Sequence, residues 1–113
     1  MQVELTNSQR ASVSIRYDKI ERPTMAFPMV CDVIRTTEVS IHVYNKNGAN
    51  TGHISGLARC MPQDQFCRKV GRQIALRNLC RINLNNINSK RIISKEDMSI
   101  LAPVILHGAQ KNV

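Results

Sequence analysis

The stretch that decides the fold is residues 39–48, which read VSIHVYNKNG. In its first six residues, β-branched side chains alternate with polar or aromatic ones, and this period of two predicts a half-buried strand. An Asn-Gly pair closes the stretch, and because both residues tolerate positive φ, the pair is a strong signal of a hairpin turn. We therefore predict a β-hairpin, with one strand over 29–44 and the return strand over 49–59.

Further strand signals lie on both sides of this hairpin. Residues 13–18 alternate apolar and polar side chains and predict another half-buried strand. Two prolines within 21–28 predict a loop between the two strands. In the return strand, Gly52 and Gly56 indicate a bulge or the close approach of another backbone.

A long segment with helical character begins at Pro62. Proline suits the first helical position, and Asp64 in the first turn complements the helix dipole. Phe66, Val70 and Ile74 lie on one helical face, which we expect to be buried. After Ile74 the apolar pattern rotates, so the helix either bends or stops near Arg77, or its second half packs against a different element. We prefer the second arrangement.

The C-terminal part of the chain predicts several short elements. Residues 83–89 are rich in Asn and predict a turn, and 91–93 predict a short strand. A capping box at 94–97 opens a short helix, which we expect Pro103 to end. A short edge strand at 104–106 and a frayed tail complete the chain.

The whole chain, residues 1–113, is predicted to form one α+β domain. At 113 residues it is long enough to bury a core without cross-links. The expected architecture is an antiparallel sheet of three or four strands with one main helix packed on one face.

Positive charge is concentrated between residues 59 and 95. The chain has a formal net charge of +8, and this stretch accounts for all of it because Asp64 is its single acid. A segregated positive field attracts polyanions or acidic protein surfaces. The alternative is a solvated face that has no partner. The candidate partner-binding or nucleic-acid-binding residues are Arg59, Arg68, Lys69, Arg72, Arg77 and Arg81.

Among these cations, Arg68, Lys69 and Arg72 occupy about one helical turn. We expect all three to face outward, opposite the apolar face, and to reach neighbouring phosphates or an acidic protein surface together. The periodicity leaves open on which side of the helix Arg77 and Arg81 lie.

The four cysteines are expected to be thiols in a reducing cytosol, because no signal-peptide pattern is present. No apolar run approaches the ~18 residues of a membrane span. Pairing of Cys60 with Cys67 stays open, and Cys67 is expected to be a small buried hydrophobe. The close Cys pairs of structural zinc sites are missing, so no metal or cofactor is expected, although Cys60 with His53 stays open as a ligand pair.

The sequence contains no recognised arrangement of nucleophile and base, no metalloprotease motif and no glycine-rich phosphate loop. We therefore expect that the protein is not an enzyme.

Residues 56–79 contain a recognisable pattern: Gly56-x-Ala58-x-Cys60-x-Pro62-x-Asp64-x-Phe66, followed by Arg68-Lys69-x-Gly71-Arg72-x-Ile74-Ala75-Leu76. This pattern resembles that of small accessory proteins of tailed bacteriophages. The resemblance implies a phage origin, a hairpin followed by a helix and a host-directed accessory role, and it supplies no activity. On physical grounds, Gly71 and Ala75 would allow the helix to approach the sheet closely.

Two classes of function follow from the charge and the resemblance. In the first, the protein binds a host protein or protein–nucleic acid complex in the host cytoplasm, such as a defence nuclease or a polymerase subunit, and modulates it without catalysis. In the second, it grips DNA or RNA phosphates through Arg68, Lys69 and Arg72 without reading sequence. The resemblance favours the first class, and no membrane partner is expected.

Overall fold

The computed structural model describes residues 1–23, 31–61, 65, 67–84 and 93–108. Four strands form one antiparallel sheet in the order β1-β2-β3-β4, and two helices follow them in the chain. The elements are β1 (Gln2–Glu4), β2 (Arg10–Pro23), β3 (Cys31–Tyr44), β4 (Asn50–Cys60), α1 (Arg68–Leu84) and α2 (Lys95–Leu106). The predicted α+β fold, with a helix packed on an antiparallel sheet, is confirmed.

The predicted hairpin joins β3 to β4. Gly48 has a φ of 82°, and the Asn45 side chain accepts hydrogen bonds from the N–H groups of Asn47 and Ala49 at 2.9 and 3.0 Å. The turn chemistry therefore fixes the register of the two strands. The loop predicted over 21–28 is wrong at its start, because β2 continues to Pro23 in register with β3, and residues 24–28 lie outside the described residues.

One face of the sheet carries the core, because alternate residues of each strand point to the same side. The two helices cover this face, which we call the covered face, and the other is the open face. The buried apolar side chains include Val13, Val39, Ile41, Val43 and Ile54 from the sheet, and Ala75, Leu79, Leu101 and Ile105 from the helices.

The first helix begins later than the sequence predicted. Arg68 is its first residue, and neither Gln65 nor Cys67 is helical. The N–H of Gly71 donates to the Cys67 carbonyl at 2.9 Å, which makes Cys67 the residue that precedes the helix. The predicted start at Pro62 is therefore wrong, and the first turn has no acidic residue. Pro62, Asp64 and Phe66 themselves lie outside the described residues.

The buried face of α1 also differs from the prediction. It consists of Ala75, Leu79 and Asn83, whereas Val70 is 48% exposed. The helix crosses β4 at Gly56, where an added Cβ would lie only 2.7 Å from the Cβ of Leu79. The close approach predicted at Gly56 is thus confirmed, and it fixes which side of α1 faces the sheet.

The helix runs unbroken through the point where the apolar pattern rotates. Its last turn contacts the segment before α2, because the Asn83 amide donates to the Ile93 carbonyl at 2.9 Å and accepts from the Ile93 N–H at 3.1 Å. Ile93 lies in a bend. The short strand predicted over 91–93 is wrong at this residue, and residues 91 and 92 lie outside the described residues.

The second helix is longer than predicted. Only the Ser94 half of the predicted capping box is confirmed: the Ser94 hydroxyl accepts from the N–H of Asp97 at 3.2 Å, whereas Asp97 Oδ1 accepts from Thr6. The helix then continues through Pro103 to Leu106, so the predicted stop and the edge strand at 104–106 are wrong. Leu101 and Ile105 are both completely buried on either side of the proline, and their packing outweighs the missing N–H.

The first strand and the second helix are tied to each other. Asp97 is 3% exposed, and its Oδ1 accepts hydrogen bonds from the N–H and the hydroxyl of Thr6 at 2.9 and 2.8 Å. The turn between β1 and β2 is thereby fixed to the start of α2. The sequence analysis did not predict β1.

Candidate binding surface

Two of the predicted binding cations meet at Tyr17 on the covered face. Arg72 Nη1 donates to the Tyr17 hydroxyl at 2.9 Å, and its Nε donates to the Leu106 carbonyl at 3.3 Å. The guanidinium carbon of Arg68 lies 4.5 Å from the centre of the same ring, which is cation–π geometry. Arg72 therefore joins α1 to the carboxyl end of α2, where a positive charge also complements the helix dipole.

The expectation that Arg68, Lys69 and Arg72 face outward together is wrong for Arg72. Arg68 and Arg72 lie on the same helical side as Ala75 and Leu79, since their spacing is i, i+4, i+7 and i+11. The two arginines continue the sheet-facing side of α1 towards its N-terminus, past the hydrophobic core. Arg72 therefore bonds within the protein. Lys69 is exposed beside them.

Arg77 and Arg81 lie on the side of α1 that faces solvent. Both are exposed and stand one turn apart. Val70 and Leu84, which are 48% and 59% exposed, lie on the same side at helical spacing. We call this surface of Val70, Gln73, Arg77, Arg81 and Leu84 the outer face of α1. The periodicity left open on which side of the helix Arg77 and Arg81 lie, and the structure places both on this face.

The acidic residues that form ion pairs lie on the sheet. Arg16 pairs with Asp18 at 2.7 Å and with Glu38 at 3.6 Å, and a further pair on β2 joins Lys19 to Glu21. Within the described part of the chain, no acid pairs with a cation of α1. The positive field of the outer face is therefore not neutralised by these carboxylates.

Arg59 is separated from the other predicted cations. It is exposed near the end of β4, and its neighbour Ala58 is buried on the covered face. Because side chains alternate along a strand, position 59 belongs to the open face, although Arg59 also borders the cavity between β4 and the first turn of α1. The six predicted residues thus fall into three places: the Tyr17 contacts (Arg68, Arg72), the solvent-facing part of α1 (Lys69, Arg77, Arg81) and the open face of the sheet (Arg59).

A cavity of about 210 Å³ lies between β3, β4 and the first turn of α1. Cys60, Cys67, Thr37 and Gly71 are among its lining residues. Cys67 is exposed, so its prediction as a buried hydrophobe is wrong, because the helix starts after it. The pairing of Cys60 with Cys67 that the sequence left open does not occur in the structure, since Cys67 is a free thiol.

The chemical environments of Cys67 and Cys80 differ. Hydrogen bonds from the backbone N–H groups of Val70 and Lys69 lower the pKa of the Cys67 thiol, and the charge of Arg72 adds to this effect. Burial raises the pKa of the Cys80 thiol instead. Of the two, Cys67 has the larger fraction of thiolate at a given pH.

The pair of metal ligands left open by the sequence does not come together. His53 and Cys60 stand seven residues apart on β4, an odd separation that places them on opposite faces of the sheet. The His53 ring instead stacks on His42 of β3, with 4.2 Å between ring centres. Among the residues that the structure describes, no three His, Cys, Asp or Glu side chains are grouped to hold a metal.

Comparisons with protein-family profiles, curated proteins and solved structures found no match to this chain. The resemblance to phage accessory proteins therefore stays a prediction. Neither described helix has the length and apolar character needed to cross a membrane.

Sequence reasoning missed two residues of this region, Tyr17 and Cys67. Tyr17 was assigned only to an alternating strand, and nothing in that pattern indicates that two arginines will contact it. Cys67 precedes α1, but the usual sequence signal at this position is Ser, Thr, Asp or Asn. A cysteine there carries no such signal.

Proposed function

We propose that this protein is a non-catalytic binding protein that docks the outer face of α1 on an acidic surface of another protein. The observation that carries the proposal is the combination of cations and apolar side chains on one solvent-facing surface. Arg77 and Arg81 are exposed and stand between Val70 and Leu84, both of which are about half exposed. Arginine together with exposed apolar area is typical of the centre of a protein–protein interface.

The apolar part of this surface distinguishes a protein partner from phosphates. Phosphate contacts need only cations and N–H donors, so Val70 and Leu84 would have no partner on a nucleic-acid backbone. On an acidic protein they would pack against apolar side chains, while the two arginines pair with carboxylates. Among described residues, the carboxylates that form ion pairs lie on the sheet, and none of them pairs with Arg77 or Arg81.

The nature of the partner follows from the resemblance of residues 56–79 to phage accessory proteins. On that basis the partner is a host protein of the nucleic-acid machinery or of a defence complex, and the place of action is the host cytoplasm. The protein would act by covering a surface that the host protein uses.

The second candidate is sequence-independent binding to DNA or RNA phosphates. It is favoured by the exposed cations of α1, Lys69, Arg77 and Arg81, none of which is paired to a described acid. Arg72 contributes little to this candidate because its guanidinium bonds to Tyr17 and Leu106.

The test is a double charge reversal, Arg77→Glu with Arg81→Glu. The partner is captured from host lysate that has been treated with nuclease, and its affinity for each variant is then measured with purified components. We expect a loss of at least ~30-fold, which corresponds to the ~2 kcal/mol of an interface hot spot. A matched control is Lys46→Glu with Lys95→Glu, which makes the same change in net charge at exposed positions off α1.

Salt dependence separates the two candidates. Phosphate binding loses affinity log-linearly with salt, with a slope of about −0.9 for each phosphate neutralised. A protein interface with an apolar centre loses less, mainly in association rate. Capture that disappears after nuclease treatment, with a steep slope on duplex DNA, would support the second candidate. Equal affinity for both double variants would rule out the outer face as the binding surface.

A further inference from the structure

The outer edge of β4 is not paired with another strand of the described chain, because β4 ends the order of the sheet. The register shows which of its backbone groups point outward. Val13 exchanges two hydrogen bonds with Met1, at 2.7 and 2.9 Å, so the N–H and C=O of Val13 point towards β1 and away from β3. Ile41, which faces Val13, therefore points its backbone groups towards β4, and Ile54, which faces Ile41, points them back towards β3.

Successive residues of a strand point their backbone groups to opposite sides, so His53, Ser55 and Leu57 of β4 point theirs outward. A contact from α1 agrees with this assignment, because the Asn78 amide donates to the Leu57 carbonyl at 2.8 Å. Within the described part of the chain, no group bonds to the outward N–H or C=O of His53 or Ser55. These two residues therefore offer donors and acceptors to a further strand.

The opposite edge of the sheet is protected against such pairing, whereas β4 is not. Where β2 extends beyond β1, it carries the ion pairs of Arg16 and Lys19 and ends at Pro23. Charged side chains and proline are common means by which an edge strand resists further pairing. Over its 11 residues β4 contains no Lys, Asp, Glu or Pro, and Arg59 near its end is its one arginine. The edge that is open to a further strand is therefore that of β4.

One side of α1 lies along this edge. Because Asn78 reaches the outward carbonyl of Leu57, the side of α1 that carries Asn78 lies above the edge of β4. Arg81 and Ile82 follow Asn78 at i+3 and i+4, so they share that side. Ile82 is 53% exposed, and Arg81 is exposed as well. A strand added to β4 would thus lie beneath an apolar side chain and a positive charge.

The chemistry of this edge favours an acidic polypeptide as its occupant. The outward N–H and C=O groups match another peptide backbone, which a nucleic acid does not have. Arg59 and Arg81 supply positive charge, and no described acid forms an ion pair with either of them. A second copy of this chain is disfavoured, because antiparallel pairing of two β4 strands would set the Arg81 sides of two α1 helices against each other.

We propose that the outer edge of β4 binds an extended acidic segment of the partner protein as a fifth strand of the sheet. This inference rests on the proposed function, since it names the form in which an acidic partner meets the surface beside the outer face of α1. The outward backbone groups of His53 and Ser55 hydrogen-bond to the segment. Ile82 packs on an apolar side chain of the segment, and Arg59 and Arg81 pair with its carboxylates.

The test uses a synthetic probe and the whole protein. The probe is a short blocked peptide of alternating Glu and Val, long enough to span His53 to Arg59, and its matched control carries Lys in place of each Glu. Binding to isotope-labelled protein is followed by amide resonances and by hydrogen exchange. We expect a dissociation constant below about 1 mM for the acidic peptide, no binding of the basic one, and new protection of the His53 and Ser55 amides. The Lys19 amide on the opposite edge should not change.

Two variants with matched controls complete the test. Ser55→Pro removes the outward N–H and no bond to β3, and proline is tolerated at such edge positions. We expect it to weaken binding of the acidic peptide about tenfold, the effect of one lost hydrogen bond, whereas Ser55→Val keeps the N–H and should bind like the unchanged protein. Arg59→Glu should weaken binding about fivefold, whereas Lys46→Glu, with the same change in net charge, should not. Protection of the two amides in the unchanged protein stays decisive even where Ser55→Pro fails to fold.

Several results would overturn the proposal. They are no binding of the acidic peptide below about 1 mM, equal affinity for the two peptides, protection that misses His53 and Ser55, or unchanged affinity in a folded Ser55→Pro variant. A dimer of the protein that Ser55→Pro dissociates would show that a second copy occupies the edge instead. The outer face of α1 is judged separately, by the captured partner and the Arg77→Glu with Arg81→Glu variant. Failure here and failure of the proposed function are therefore distinguishable.

Discussion

Two pairs of arginines on α1 share the same spacing and differ in every other respect. Arg68 and Arg72 contact Tyr17 and, in the case of Arg72, the end of α2. Arg77 and Arg81 are exposed to solvent. The five residues from Arg72 to Arg77 rotate the helix by about 500°, or ~140° beyond a full turn. The comparison teaches that the position of an arginine around the helix axis, relative to the buried side, decides its role. It either bonds within the protein or is available for binding.

The largest expected effect comes from changing Gly56, which fixes the side of α1 that faces the sheet. Gly56→Val would place side-chain atoms against the Ala75 carbonyl and against Leu79, whose Cβ lies 2.7 Å from an added Cβ. Because β4 backbone and helix backbone cannot both give way, we expect a loss of ~3 kcal/mol or more in the free energy of unfolding. Denaturant titration would measure it.

The control for this change is Ser55→Val, one residue earlier on the open face. It introduces the same valine side chain where no helix packs, and we expect its effect to stay within about 0.5 kcal/mol. Equal stability of the two variants would mean that α1 does not pack on Gly56, and the difference between the arginine pairs would then lose its structural basis.

The next effect compares the arginine pairs directly. Arg72→Ala removes both hydrogen bonds that join α1 to Tyr17 and to Leu106, and we expect it to cost about 1–2 kcal/mol. Arg77→Ala removes no contact within the described protein, so its effect should be below about 0.5 kcal/mol. Thermal unfolding of the two variants measures this difference in stability. A larger loss in Arg77→Ala than in Arg72→Ala would contradict the distinction between the two arginine pairs.

The smallest effect separates the two contacts on Tyr17. Tyr17→Phe removes the acceptor of Arg72 and keeps the ring under Arg68, whereas Tyr17→Leu removes both. We expect losses of about 1 kcal/mol for Phe and a further ~0.5–1 kcal/mol for Leu from the exposed cation–π contact and lost packing. Identical stability of the two variants would show that the Arg68 stack contributes nothing.

Much of the sheet could be predicted because its signals are local. The alternation in residues 39–44 and the Asn-Gly pair indicate the strand and the hairpin turn within a few residues. At Gly56 the sequence left a bulge or a close backbone approach open, and the structure shows the close approach. These parts of the prediction are confirmed.

The side of α1 that faces the sheet could not be predicted from hydrophobicity. Its buried residues are Ala75, Leu79 and Asn83, two of which are small or polar, while apolar Val70 is exposed. Asn83 is buried because it satisfies both backbone groups of Ile93, a tertiary relation that no sequence period contains. The predicted outward orientation of Arg72 was wrong for the same reason.

The helix ends were mispredicted because tertiary packing outweighed local preference. Pro103 is a strong local stop signal, but Leu101 and Ile105 pack one turn apart across it. At α1, the prediction relied on a proline and an acid, and the residue that precedes the helix is a cysteine, which is not among the preferred caps. These errors carry over to the predicted binding residues, because the side of the helix on which each residue lies depends on where the helix begins and which residues face the sheet.

The hydrogen bonds from Thr6 to Asp97 span 91 positions of the chain. Closing so long a loop costs more entropy than pairing β3 with β4 across a tight turn. We therefore expect the central strands to assemble first and the turn after β1 to dock on α2 afterwards. Because that docking places a nearly buried carboxylate against two donors, we expect it to couple the stability of the N-terminal segment to that of α2.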